Sequence, residues 1–139
     1  MEHLSNLYTK IIENHIELFT YPLAECNSDA VTVCYNSNYG IFLDYTKFES
    51  TKDEFCALAH EYGHCVTGAT HTLYSPYQLI SQHETKADRA ATHEFLPYDV
   101  LLETIKKGYL EPWQIAEHLE LPEQFVRLAI ETYTREGKI

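Results

Sequence analysis

Two histidines and a glutamate in the run His60-Glu61-Tyr62-Gly63-His64 have the spacing of a metal site that carries its own base. On a helix, such histidines project from one face, one turn apart, with the glutamate set to the side. Imidazole nitrogens hold zinc at about 2 Å, and a catalytic zinc keeps one position open for a water that a neighbouring carboxylate can deprotonate. The pattern uses common residues and also arises by chance, so its surroundings decide its weight. On a helical wheel Phe55, Leu58, Ala59, Tyr62, Cys65 and Val66 form an apolar stripe, and Ala57, His60, Gly63, His64 and Thr67 lie opposite. The second face carries small residues and histidines instead of long charged chains, so both faces are expected to be covered. Thr51, with Glu54 three residues later, reads as a capping box that opens the helix, and Gly68 as its stop.

Two histidines need a further ligand. His71 follows closely, but the metzincin pattern H-E-x-x-H-x-x-G-x-x-H would need glycine and histidine where Thr67 and Thr70 stand, and a methionine turn where the only methionine is Met1. Cys56 lies one turn before His60, and about 12 Å of helix rise separates it from His64, too far for convergence. The next helix, expected from about 79 to 95, is the better source. Ile80, Glu84, Ala87, Asp88, Ala91 and Phe95 share one face, placing two carboxylates in an apolar stripe. Burying them unpaired would cost several kcal/mol. Glu84 as third ligand removes that cost, and Asp88 can hold a ligand histidine by its outer ring nitrogen. His83 and His93 lie off this face and read as surface residues.

The elements that must position these residues follow from periodicity. Leu4, Leu7, Tyr8, Ile11, Ile12, Ile16 and Phe19 recur at helical spacing and predict an amphipathic helix over about 3–19, with His15 an exposed helix residue and Tyr21-Pro22 its end. Asn27-Ser28-Asp29 reads as a turn. Residues 30–35 and 40–45 predict two strands, joined through Asn36-Ser37-Asn38 as a hairpin whose edge could hold an extended substrate. Residues 69–78 read as an ordered loop. Beyond Pro97, short helices are expected over 98–107, from Glu111-Pro112 to Leu119, and after Leu121-Pro122. The last two resemble half of a helix-turn-helix, in an acidic segment suited to packing or protein contact.

The chain of 139 residues is long enough for one domain with its own core. A formal charge of −11 disfavours nucleic acid and anionic membranes as partners. The N-terminus has no basic flank followed by an apolar run, and a soluble cytoplasmic protein is expected. Cys26, Cys34, Cys56 and Cys65 show no C-x-x-C spacing and are expected to be reduced core thiols.

Leu58-Ala59-His60-Glu61-Tyr62-Gly63-His64 matches the motif L-A-H-E-x-G-H, and Glu84-x-x-Ala87-Asp88 leading to Ala91 and Leu96-Pro97 is similar to E-x-x-A-(N/D)-x-F-A-x-x-L-L-x-P. Both motifs, in this order, belong to the ImmA/IrrE family of metallopeptidases of phages, mobile elements and bacterial stress loci, which the chain resembles over most of its length. Gly40-Ile41-Phe42-Leu43, Ile115-Ala116 and Val126-Arg127 resemble the family's flanks. Ala90 and Glu94 depart from it, standing where phenylalanine and leucine are usual. The resemblance implies an α+β zincin of the gluzincin kind: a small β-sheet packed on the active-site helix, with further helices and a helical C-terminal part. It implies one zinc ion on His60, His64 and Glu84, and cleavage of a helix-turn-helix repressor at a specific bond. Glu61 would act as general base and then pass its proton to the leaving amine, with Asp88 behind a ligand histidine. His71, Tyr74 and Tyr77 are candidate donors to the oxyanion or contacts to substrate. Manganese could occupy the same ligands. The rival expectation is an antirepressor that binds its partner stoichiometrically without cutting it.

Overall fold

The computed structural model describes residues 2–24, 28–68 and 77–139, with 77–79 described by their backbone alone. Among the described residues the fold is mixed α+β: a three-stranded sheet and six α-helices.

The first helix, α1 (Glu2–Glu13), buries Leu7 and Ile11. It ends where His15 enters the left-handed region at φ 58°. The His15 N–H donates to Ile12 O at 3.0 Å and the Ile16 N–H to Ile11 O at 3.1 Å. This pair of bonds, with Ile11 and Ile16 both buried, is a Schellman cap. The helix expected to reach residue 19 therefore stops at Glu13, and β1 (Glu17–Thr20) takes over. Ile16 and Phe19 satisfied the helical period while serving a cap and a strand. The exposed His15 is a cap residue and not a helix residue.

Strands β2 (Ala30–Tyr35) and β3 (Asn38–Leu43) form the expected hairpin. Asn36 and Ser37 both have positive φ, 50° and 67°, the conformation a two-residue primed turn requires. That short turn starts the second strand at Asn38, earlier than expected. The sheet order is β1-β3-β2, with β1 parallel to β3 and β2 an antiparallel edge. Thr32 lies opposite Ile41 and Ala30 opposite Leu43, so the buried Ile41 and Leu43 and these β2 residues share the face turned to the helices. Cys26 and Asn27 lie outside the described residues.

Asp44 closes β3. One carboxylate oxygen accepts from the Leu23 N–H at 2.9 Å. The other accepts from the Thr46 hydroxyl at 2.5 Å and the Thr46 N–H at 3.1 Å. The cap of α2 (Thr51–Thr67) is local too: it is Ser50, whose hydroxyl accepts from the Asp53 N–H at 3.3 Å. Thr51 is thus the first helical residue, and Glu54 does not close a capping box; it accepts from the Tyr8 hydroxyl and ties α2 to α1. Gly68, at φ 66°, ends the helix as expected.

The remaining helices are α3 (Tyr77–Phe95), α4 (Tyr98–Lys106), α5 (Pro112–Leu119) and α6 (Glu123–Arg135). Helix α3 begins inside the stretch expected as loop. One buried cluster runs from Leu7 and Ile41 through Phe55 and Leu58 to Ile115 and Val126. Phe55 of α2 meets Phe125 of α6 edge-on at 5.2 Å, and the fully buried Tyr133 donates to Leu96 O at 2.7 Å. The C-terminal helices therefore pack into the core of the histidine helix. Glu94 stands on the surface within 3.5 Å of Lys10 on α1. No described helix is long and apolar enough to cross a membrane.

The hydrogen bonds from Thr46, then from Leu23, hold the Asp44 carboxyl below its ordinary pKa. Its stabilising contribution is present above the unfolded carboxylate value and is lost as pH falls through the lower folded value. Asp44→Asn should be less stable than wild type at neutral pH. The gap should narrow as acid is added, read by urea unfolding across pH.

Candidate metal centre

Helix α2 is amphipathic twice over. Phe55, Leu58, Ala59, Tyr62 and Cys65 are buried as expected, while Val66 is 44 % exposed because the helix end outruns the core. The opposite face is covered by α3. Gly63 and Ala87 are both buried where the helices meet, and a Cβ on Gly63 would lie 2.0 Å from Ala87 O. Only glycine permits that approach. A glycine inside a helix costs about 1 kcal/mol relative to alanine, and this cost is the signal that could have marked the contact from sequence.

The approach brings Glu84 and Asp88 to the histidines. His60 Nδ1 lies 2.6 Å from Asp88 Oδ1. A carboxylate only accepts, so Nδ1 carries the proton and Nε2 turns toward the centre. His60 Nε2 is 2.5 Å from Glu84 Oε2, His64 Nε2 is 3.1 Å from Glu84 Oε1, and the two Nε2 atoms are 3.2 Å apart. A tetrahedral ion with bonds of about 2.0 Å separates its ligand atoms by roughly 3.3 Å. Two of the three distances are close to that, and the third is contracted. His60, His64 and Glu84 together are the one group among the described residues able to hold an ion, with ligand atoms within 4.8 Å of one another. Two imidazoles and a carboxylate suit zinc or another divalent ion of the first transition row.

The electrostatics favour positive charge at this point. Burial alone would lower the His60 pKa, but the hydrogen bonds to Asp88 and Glu84 outweigh it and leave it raised to about 10. The same bonds from His60 and His64 hold Glu84 well below the usual carboxylate range. A proton on His60 Nε2 and a metal cation compete for one position.

Glu61 is buried beside the three ligands, 8 % exposed. Thr32 of β2 donates to Glu61 Oε2 at 2.9 Å and reaches its carbonyl at 3.3 Å. Burial raises the Glu61 pKa, against the pull of His60 and Thr32. Thr32 was missed in the sequence, where a threonine in a strand carries no signal of chemistry.

Of the other candidates, His71 and Tyr74 lie outside the described residues, as does the side chain of Tyr77. Cys56 is half-buried and outside the ligand group, its thiol pushed up to about 11 by burial. Cys65 is a core thiol as expected, whereas Cys34 is exposed on the edge strand, and Cys26 lies outside the described residues. His93 is an exposed residue bonded to Glu136 at 2.7 Å. His83, expected at the surface, is half-buried.

No family model, curated protein or solved structure matches this chain.

Three outcomes test the centre. Elemental analysis of protein purified without chelator should find about one zinc per chain, and Glu84→Ala should lose it. Zinc binding should tighten about tenfold per pH unit through the neutral range, below the His60 pKa of about 10, with about one proton released per ion by calorimetry. Gly63→Ala should lose about 1–3 kcal/mol in denaturant unfolding and weaken zinc together with it, because α3 must move away.

Proposed function

We propose that the chain is a zinc-dependent endopeptidase of the zincin type, with His60, His64 and Glu84 as ligands and Glu61 as general base. The observation that supports this best is the buried Glu61, held by Thr32 beside three converging ligands. A site that only binds zinc has no need of that carboxylate. Bound zinc supplies Lewis acidity, activating water and polarising a peptide carbonyl. Glu61 takes the proton of the attacking water and delivers it to the leaving amine, and burial, by raising its proton affinity above that of an ordinary carboxylate, favours the uptake. Thr32 donates to Glu61 Oε2, which orients the carboxylate. Asp88 orients His60.

The sheet supplies a place for an extended substrate. β2 is one of the two edge strands, paired on one side only among the described residues, and Thr32 carries that edge to the base. A recess of about 200 Å3 is lined by Ala30, Val31, Thr32, Glu61, His64 and Glu84. A peptide added along β2 would run past the base and the ligands. The protein substrate we assign is a helix-turn-helix repressor, a choice that rests on the likeness of both motifs to ImmA/IrrE. The stoichiometric antirepressor is the alternative, and it predicts a stable complex with intact chains.

With zinc-loaded protein and a proteome-derived peptide library read by mass spectrometry, wild type should produce new termini. Glu61→Gln should keep its zinc and slow cleavage about 10²–10⁴-fold. Undiminished cleavage by that variant would remove Glu61 as the base.

A further inference from the structure

Two of the three ligands, His60 and Glu84, lie at one end of a second, larger cavity. Its volume is about 770 Å3 and it runs from His60 back along α2 toward Asp53, between the segment bearing Asp29 and Lys47 and the face of α6. Asp53 and His60 are roughly 10 Å apart along the helix axis. That is the length of about three residues of extended peptide.

The groove has two characters. Its floor is apolar, formed by Ala57, Ala91, Phe125 and Leu128. Its rim is acidic: Glu61, Glu84 and Asp88 belong to the centre, and beyond them stand Asp29, Glu49, Asp53 and Glu131 against Lys47 and Arg127. Lys47 Nζ donates to the carbonyls of Leu23 and of Ser28, the latter at 3.0 Å. Arg127 pairs with Glu123 at 3.0 Å and Glu131 with Arg135 at 2.6 Å, but both pairs are exposed and contribute little, so the acidic character rests on seven lining carboxylates against two cations. Asp53 spends one oxygen on the Glu49 N–H at 3.2 Å. The chain's net charge of −11 adds to the same field.

We propose that this groove takes up about three residues of the substrate on one side of the cleaved bond, and that it selects lysine or arginine among them. The apolar neighbours of that residue lie on the Phe125 and Leu128 floor, and Asp53 and Glu131 are the specificity-determining carboxylates. The inference rests on the peptidase reading for its meaning, but binding can be measured without cleavage. It gives α6 the role of a substrate wall.

The probe is a short fluorescein-labelled peptide alternating lysine and leucine, beside the same peptide with glutamate for lysine. Binding is followed by anisotropy on zinc-loaded Glu61→Gln protein, which should not cut it. The lysine peptide should bind roughly tenfold or more tightly, and less so as salt is raised. Asp53→Asn with Glu131→Gln should weaken it several-fold with the fold intact by circular dichroism. Glu103→Gln with Glu117→Gln, which removes two carboxylates outside the groove, should leave it unchanged. Equal affinity for both peptides overturns the proposal, and so does an equal loss in both double variants, which would trace attraction to overall charge. Wild-type cleavage of the peptide library separates the two readings. Cuts without enrichment of lysine or arginine overturn the groove's selectivity and keep the peptidase. Selective binding without any cut overturns the peptidase and keeps the groove.

Discussion

The contact between α2 and α3 at Gly63 sets the geometry on which the centre depends. Two helices with ordinary side chains pack at 8–10 Å between axes. Here the Ala87 carbonyl occupies the space of the missing Cβ, 2.0 Å from where that atom would stand. His60 and His64 flank Gly63 on α2, and Glu84 and Asp88 flank Ala87 on α3, so one close approach delivers all four side chains to the same point. The close approach shortens the span that the glutamate and histidine side chains must cross. The glycine therefore gives up local helix stability for a contact that a larger residue would hold open.

Charge explains why those four side chains can remain together. Two carboxylates and two imidazoles at hydrogen-bond distance hold a stable arrangement only around positive charge. A proton on His60, whose pKa Asp88 and Glu84 raise to about 10 against the effect of burial, meets that need in part. A divalent ion meets it fully while keeping His60 Nδ1–H on Asp88. Glu61 stands apart from this balance. It is buried, its proton affinity is raised, and one of its oxygens accepts from Thr32. His60 and Glu61, adjacent in sequence, reach different partners because a helix turns each side chain in a different direction.

The C-terminal helices serve the site through the core. Phe125 packs edge-on against Phe55 of α2 and at the same time lines the groove beside the ligands. Tyr133, bonded to Leu96 at the end of α3, holds α6 against the helix that carries Glu84 and Asp88. What reads as half of a helix-turn-helix is thus one wall of the groove and the support of its second helix.

The sequence by itself determined the elements whose signals are local. The i, i+4 histidines, the Glu84 and Asp88 stripe, the C-cap glycine of α2, the turn at Asn36-Ser37 and the proline-marked starts of the last helices all depend on neighbours within a few residues. Their assignments survive in the structure, because helical period and turn chemistry are short-range properties. Tertiary structure decided the rest. Whether Phe19 extends a helix or enters a strand depended on β3, which lies far along the chain and offers β1 a parallel partner. Whether Gly63 was a defect or a contact depended on the Ala87 carbonyl of another helix. Thr32 became the partner of Glu61, and α6 the wall of a groove, only when distant segments met; a residue's own type and neighbours carry no record of what packs against it.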